Sequence, residues 1–174
     1  MNIVRVTAIT AAAVVGLAAC ATLSEEDCRG GNWSEIGFRD GSNGRSPDFL
    51  DQHAKACSKF GVGFDQSAWE AGRQEGLKSY CTARNAYREG SQGRRLRSVC
   101  PAELQNVLVA ENERGRIWYD IGRDIADAER DIRSINNQLA TLAADDPARA
   151  GLMSRRSFLR LDILHLRARR ARYM

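Results

Sequence analysis

The sequence lacks several patterns that would assign a common class of protein. No apolar run approaches the roughly 20 residues that a transmembrane helix needs, so a permanent membrane span is not predicted. The absence of a Cys-x-x-Cys pair and of a Gly-x-Ser-x-Gly motif removes the usual signatures of a zinc site and of a serine hydrolase. Alternation of polar and apolar residues is also missing, so no strands are predicted except a short hairpin that two glycine-rich segments could hold.

The N-terminal segment has the layout of a secretory signal. Arg5 is followed by an apolar run, Val6–Leu17, and then by Leu17-Ala18-Ala19-Cys20, which resembles the bacterial lipobox. We therefore predict that residues 1–19 are a signal peptide and that Cys20 is acylated, the alternative being an ordinary secretory cleavage site. Ala21 lacks the Asp that resembles an inner-membrane retention signal, so we expect attachment to the outer membrane, facing the periplasm.

The composition bounds the size and the partners of the mature protein. Removal of the signal peptide leaves 155 residues, enough for one domain or for one domain with a helical appendage. The full chain has 26 Lys and Arg against 22 Asp and Glu, and loss of Arg5 leaves an excess of +3. This excess is too small to indicate a nucleic-acid partner. No cofactor is predicted.

The cysteines indicate two disulfides. Besides Cys20 the mature chain has four cysteines, an even number in an oxidising compartment: Cys28, Cys57, Cys81 and Cys100. No histidine lies near them at metal-ligand spacing, so a zinc site is the less favoured alternative and no metal ligand is predicted.

Two glycine-rich segments nearly repeat one another. Residues 38–45 read FRDGSNGR and residues 87–94 read YREGSQGR, and each copy lies between two cysteines. Related half-units predict the pairs Cys28–Cys57 and Cys81–Cys100, although crosswise pairing stays open. We expect a tight turn with glycines at positive φ in each copy rather than a calcium loop, because the spaced carboxylates are missing.

Helix punctuation predicts three helices within residues 28–100. Ser46, Pro47 and Asp48 favour a helix over 47–59. Asp65 caps a helix ending near Tyr80, and Thr82 caps a short helix ended by Gly90. The glycines at 72 and 76 predict that another segment packs closely against the second of these helices.

Beyond Pro101 the pattern changes to that of a helical hairpin. Apolar residues recur at intervals of four and three over three heptads, which is typical of a coiled-coil seam: Ile121, Ile125, Ala128, Ile132, Ile135, Leu139 and Leu142. A break at 145–147 starts a last helix whose apolar face carries Leu152, Leu159, Ile163 and Leu166, broadened by Phe158, Leu161 and Leu164. We predict an antiparallel hairpin over 101–174, in which acidic residues of the first arm neutralise much of the arginine charge of the second.

A set of short motifs between the first cysteine of the mature domain and the long helical segment is specific when taken together. These motifs are Asn32-Trp33, Ile36-Gly37-Phe38, Asp40-Gly41, Gly44, His53, Cys57, Gly72-Arg73, Gly76-Leu77, Tyr80-Cys81-Thr82, Gly90, Gly93 and Val99-Cys100-Pro101. With them the chain resembles the domain of unknown function 2799, a family of proteobacterial envelope proteins. The resemblance covers residues 28–125 and implies a periplasm-facing lipoprotein, but it supplies no activity. Ala86 departs from the pattern, which more often has Gly there.

No catalytic residue is predicted, and five residues are candidates for binding: Trp33, Asp40, His53, Trp69 and Arg73. His53 is the one plausible acid or base of the cysteine-containing region, but it lacks a recognisable nucleophile, so a buried, hydrogen-bonded histidine or a solvated helix residue is the favoured interpretation.

We therefore predict a mainly α-helical protein in four parts: the signal peptide, a lipidated Cys20 with a polar tether to residue 27, a disulfide-stapled domain over 28–100, and the hairpin. The favoured function is non-catalytic: a lipoprotein that binds or scaffolds an envelope protein, or self-associates through its hairpin. The alternatives are binding of peptidoglycan or an anionic glycan through arginines and exposed aromatics such as Trp33 and Trp69, and a periplasmic hydrolase.

Overall fold

The computed structural model describes residues 22–174, so the predicted signal peptide and Cys20 lie outside the described residues. This part of the chain is helical and contains no strand, which confirms the mainly α-helical prediction and leaves no hairpin of strands in the glycine-rich segments. None of its helices is both long and apolar enough to cross a bilayer. The helices are α1 (Glu25–Gly30), α2 (Trp33–Ser42), α3 (Phe49–Ser58), α4 (Gln66–Tyr80), α5 (Ala83–Ser91), α6 (Gln105–Thr141) and α7 (Ala148–Arg170), with 3-10 turns at Ala102–Leu104 and Ala171–Tyr173.

Short polar side chains begin four of the helices. Ser24, Asn32, Asp65 and Thr82 each accept a hydrogen bond from the backbone N–H three residues later. The predicted caps at Asp65 and Thr82 are thus confirmed. The helix predicted over 47–59 is α3, which is shorter because it begins at Phe49 and ends at Ser58.

Glycines hold α2 and α4 together as a closely packed parallel pair. Gly37 and Gly41 of α2 lie against the backbone of α4, and Gly72 and Gly76 lie against the backbone of α2. A Cβ on Gly41 would lie 2.9 Å from the backbone nitrogen of Leu77, nearer than side-chain carbons approach. The predicted close packing against the glycines of α4 is therefore confirmed, and α2 is the segment that packs there.

The same arrangement recurs between α5 and the beginning of α6. A Cβ on Gly90 would lie 2.9 Å from the backbone nitrogen of Arg116, and a Cβ on Gly115 would lie 2.7 Å from that of Ser91. Gly90 and Gly115 thus stand where Gly41 and Gly76 stand in the first pair. We call residues 25–80 the first unit and residues 81–119 the second unit.

A glycine at positive φ ends the repeated segment in each unit. Gly44 has a φ of 66° and faces the ring of Tyr80, while Gly93 has a φ of 78° and faces the ring of Tyr119. The predicted left-handed turn is therefore present at these two glycines. The preceding glycine of each copy is part of a helix and serves close packing instead.

Each unit is closed by its own disulfide, as the repeat predicted. Cys28 is bonded to Cys57 and Cys81 to Cys100, with Cα–Cα distances of 5.4 and 5.6 Å. Crosswise pairing is excluded by these bonds. In each unit the bridge ties the segment before the first helix of the pair to the segment between the two helices of the pair.

Neither end of the disulfide-stapled domain lies where the sequence predicted a boundary. Within the predicted tether, Leu23 is 3% exposed and α1 begins at Glu25, so residues 22–27 are part of the fold. At the other end the second unit needs the first turns of α6, because α5 packs on them. The predicted break at residue 100 therefore falls inside the second unit.

The predicted antiparallel hairpin consists of the rest of α6 and α7. Ile121, Ile125 and Ile163 form its buried core, and Ala128, Ile132 and Leu166 pack at the edge of that core. At the turn, the Arg149 guanidinium donates hydrogen bonds to the carbonyl oxygens of Leu139 and Leu142 and so closes the end of α6.

Candidate functional site: a buried polar network and an exposed helix face

The five candidate binding residues all lie in the interior of the first unit. Trp33, Asp40, His53, Trp69 and Arg73 are between 1% and 7% exposed. The expectation that Trp33 and Trp69 are exposed aromatics is wrong, because both rings belong to the core that surrounds the first disulfide. These residues therefore build the unit and do not form a surface site.

Asp40 is the centre of the buried polar network. One of its carboxylate oxygens, Oδ2, lies 2.7 Å from His53 Nε2 and accepts a hydrogen bond of 2.9 Å from Trp69 Nε1. The other imidazole nitrogen, Nδ1, lies 2.8 Å from the Thr22 hydroxyl oxygen. In a neutral imidazole that donates to the carboxylate, Nδ1 accepts from this hydroxyl. The network thus connects α2, α3 and α4 to the chain before α1.

A hydroxyl, an imidazole and a carboxylate in this order resemble the groups of a hydrolytic triad, but the geometry supports a structural role. His53 is 2% exposed, and both of its nitrogens are occupied within the fold. Both imidazole nitrogens are also occupied in a catalytic triad, but there the imidazole borders an open substrate site, whereas His53 lies in the interior of the unit. The predicted buried, hydrogen-bonded histidine is the form that the structure has.

Arg73 holds the turn of the first unit. Its guanidinium donates to both carboxylate oxygens of Glu70, each at 2.7 Å, and to the carbonyl oxygen of Arg45 at 3.1 Å. The hydrogen bonds from this guanidinium lower the pKa of Glu70 below its ordinary value. In the second unit Asn112 donates in the same way to the carbonyl oxygen of Arg94 at 3.1 Å.

The residue equivalent to Asp40 in the second unit makes a different contact. Glu89 pairs with Arg94 at 2.7 Å near the surface, and the hydrogen bond from Arg94 lowers the pKa of the glutamate. No aromatic N–H or imidazole is bonded to Glu89 within residues 22–174. The buried network is therefore a property of the first unit and not of the repeat.

The outward face of α7 is the main apolar surface of the hairpin. Phe158 is 65% exposed, Leu161 53% and Leu164 59%, and Met153 extends the strip toward the turn. The first three of these residues are the ones predicted to broaden the apolar face of the last helix. Ile163 and Leu166 of α7 pack in the hairpin core, and the opposite face of the helix, with Phe158, Leu161 and Leu164, is left exposed within residues 22–174.

The predicted neutralisation of the α7 arginines is incomplete. Arg155 pairs with Asp131 at 3.1 Å and Arg167 with Glu129 at 2.9 Å across the hairpin. Arg170 stacks on the ring of Trp118, with its guanidinium carbon 3.6 Å from the ring centroid. Three further arginines make neither a salt bridge nor a side-chain hydrogen bond with any described residue: Arg160, Arg169 and Arg172.

A second apolar surface lies beside the disulfide of the second unit. It is a half-open groove of about 560 Å³, and its lining includes Leu77, Val99 and Leu104. The groove is lined by a single charged side chain, Lys78. Within residues 22–174 no group of three acidic, histidine or cysteine side chains is placed to hold a metal ion.

Sequence reasoning missed two residues: Thr22 of the buried network and Asn112, which bonds to the turn of the second unit. Thr22 and Asn112 carry no motif of their own. A signal for Asn112 was present, since Gly76 and Tyr80 have the same spacing as Gly115 and Tyr119, and aligning these pairs places Asn112 opposite Arg73.

These features define a class of small helical repeat domain, in which two disulfide-closed, glycine-packed helix pairs carry a helical hairpin. Residues 32–116 match the model of a family described as Protein of unknown function (DUF2799), the family that the sequence motifs resemble. Neither a curated protein nor a solved structure matches the chain.

Proposed function

We propose that the protein is a lipoprotein, attached through Cys20 to the periplasmic face of the outer membrane, that binds an envelope protein without catalysing a reaction. The outward face of α7 is the binding surface in this proposal. The single observation that carries it is the exposure of Phe158, Leu161 and Leu164 on a helix whose other face already packs on α6. Exposed apolar strips of this kind mark sites of association.

The charge of α7 indicates the chemistry of the partner. Residues 148–174 contain eight arginines and a single acidic residue, Asp162. Two copies of α7 meeting face to face would bring these arginines together, which disfavours self-association through this surface. The partner that fits is therefore a protein with an apolar strip bordered by Asp and Glu.

Two further features support the location. An apolar signal segment precedes Cys20. The chain also has two disulfides, which persist in the periplasm and are rare in the cytosol. The absence of an accessible nitrogen on His53 supports a binding role over a hydrolytic one.

The proposal is tested by placing a photo-crosslinking amino acid at Ser157, on the exposed side of α7, and at Asn137, on the exposed side of α6. Irradiation of intact cells should give a discrete adduct from position 157 and none from position 137. Adducts from both positions alike, or from neither, would count against α7 as the binding surface.

Variants of the captured complex then measure the contribution of the strip. Leu161→Gln and Leu164→Gln should each weaken binding by about tenfold or more, because a buried leucine contributes about 1.5–3 kcal/mol. Val107→Gln is the matched control, since Val107 is an exposed apolar residue of α6 far along the chain from this strip. His53→Gln should also leave capture of the partner intact. If a folded His53→Gln protein lost its function in cells while the hairpin variants kept theirs, the periplasmic hydrolase would be favoured instead.

A second candidate, binding of peptidoglycan or another anionic glycan, is favoured by the arginines at 160, 169 and 172. Carboxylates of the cell wall are complementary to arginines that have no carboxylate partner in the hairpin. In this case replacement of the three arginines by Gln should abolish co-sedimentation with purified sacculi, and Leu161→Gln should have no effect.

A further inference from the structure

The chain is fixed to the first unit from Thr22 onward. The Thr22 hydroxyl contacts His53, and Leu23 is 3% exposed in the same core cluster as Cys28 and Trp33. Ser24 then begins α1 with a reciprocal capping box, in which its hydroxyl accepts from the N–H of Asp27 and the Asp27 carboxylate accepts from the N–H of Ser24. No free linker separates Thr22 from the folded domain.

This attachment limits the distance between a lipid on Cys20 and the domain. Thr22 lies two positions after Cys20, and a fully extended chain covers about 3.5 Å per residue, so the two Cα atoms are at most about 7 Å apart. A free tether as far as residue 27 would instead allow a separation of about 25 Å. The domain has therefore almost no freedom to move away from an acylated Cys20.

We propose that the first unit is seated directly on the lipid surface that holds Cys20, with Thr22 on His53 and Leu23 in the core as its fixed attachment point. This inference rests on the acylation of Cys20 that the proposed function includes. The partner of the face around Thr22 is the lipid bilayer itself. Attachment and not charge attraction holds this face to the lipid, because Glu25, Glu26 and Asp27 make the first turn of α1 acidic.

The difference between the two units supports this role for the network. Asp40 and His53 form it only in the unit that receives the N-terminal end of the mature chain. In the second unit the equivalent Glu89 makes a surface ion pair, and the chain enters there from α4 with no end to hold. The buried network is thus placed where a chain end needs to be anchored.

The attachment is tested first on the native lipoprotein, purified from membranes and reconstituted in vesicles of phosphatidylethanolamine and phosphatidylglycerol. A glutamyl endopeptidase that cuts after Glu25 or Glu26 releases the domain, and flotation measures the release. Thr22→Val should be cut about fivefold faster than the wild type, the effect of one lost hydrogen bond on local opening. Thr22→Ser, which keeps the hydroxyl, should be cut at the wild-type rate. Equal rates for the Val and Ser variants would overturn the attachment.

The seating is tested by distance. A fluorescent amino acid at Gln52, an exposed residue next to His53 on α3, should be quenched by a short-range nitroxide on the lipid headgroups. An eight-residue Gly-Ser insertion between Ala21 and Thr22 should abolish the quenching, whereas the same insertion between Ala144 and Asp145 in the hairpin turn should not. The seating alone would be overturned if the wild type were as unquenched as the first insertion variant while mass spectrometry found lipid on Cys20. Absence of lipid on Cys20 would overturn the acylation in the proposed function as well.

Discussion

Replacement of Gly41 by Ala should destabilise the protein, although Ala is the better helix former. Without a neighbour, Gly→Ala in a helix stabilises by about 0.5–1 kcal/mol. At Gly41 the added Cβ would lie 2.8 Å from the carbonyl carbon of Arg73 and 2.9 Å from the nitrogen of Leu77. Both atoms belong to the backbone of α4, so no side-chain rotation can relieve the clash.

The magnitude follows from the way the two helices interlock. To admit the methyl group α2 and α4 must move apart, and this separation also loosens the contacts at the other three glycines of the pair. Overpacking usually costs about 1–3 kcal/mol, and a rigid backbone neighbour places Gly41→Ala at the upper end. We expect a net loss of about 2–3 kcal/mol, which lowers the melting temperature by about 4–12 °C in a chain of this size.

Thermal unfolding followed by far-ultraviolet circular dichroism, together with urea unfolding, measures this loss. Gly151→Ala is the matched control, because Gly151 lies within α7 with no atom in the way of an added Cβ. The control should raise the melting temperature by about 1–4 °C. Gly90→Ala should reproduce the loss in the second unit. A Gly41→Ala protein as stable as the wild type would refute the packing argument.

Three other predictions use the comparison between the units and the N-terminal cysteine. Asp40→Ala should cost about 2–6 kcal/mol, since it leaves two buried N–H donors unpaired, whereas Glu89→Ala should cost below about 1 kcal/mol; urea unfolding of both variants measures the difference. The hydrogen bond from Arg94 depresses the pKa of Glu89 in the folded state. The ionised Glu89 therefore stabilises the fold fully above its ordinary pKa of 4.5, and this contribution is lost as the pH falls through the lowered pKa. The stability difference between wild type and Glu89→Gln should accordingly shrink as the pH falls below about 4.5, and a difference that grows would contradict it. Mass spectrometry of the mature N-terminus should find lipid on Cys20, and an unmodified N-terminus at another residue would exclude it.

The features that the sequence predicted correctly depend on local chemistry. Asp65 and Thr82 cap helices because their side-chain oxygens reach an N–H three residues away, whatever the rest of the chain does. The seam from Ile121 to Leu142 was readable because a helix repeats its contacts with a fixed period. The disulfide pairing followed from the repeat that each bridge encloses.

The features that were missed depend on contacts between distant segments. Leu23 is a single apolar residue in a polar stretch, so nothing nearby marks it as part of the core. The side chains of Trp33 and Trp69 suit either a surface or an interior, and only the assembled fold decides which. Glycines predicted close packing on α4 but could not identify α2 as the neighbour, because a residue without a side chain carries no complementary signal.

The continuity of α6 has a mechanical consequence. Its counterpart α4 ends at Tyr80, but α6 continues for 22 residues beyond Tyr119, or about 33 Å, as one unbroken helix. The direction of the hairpin is thus set by the second unit, and a partner bound to α7 would be held at a fixed angle to that unit and at a fixed distance from it. Any force on that partner would reach the glycine-packed pair of α5 and α6 as torque. Lengthening the hairpin by whole helical turns would move the partner away from the second unit in steps of about 5.4 Å, with no change in the unit itself.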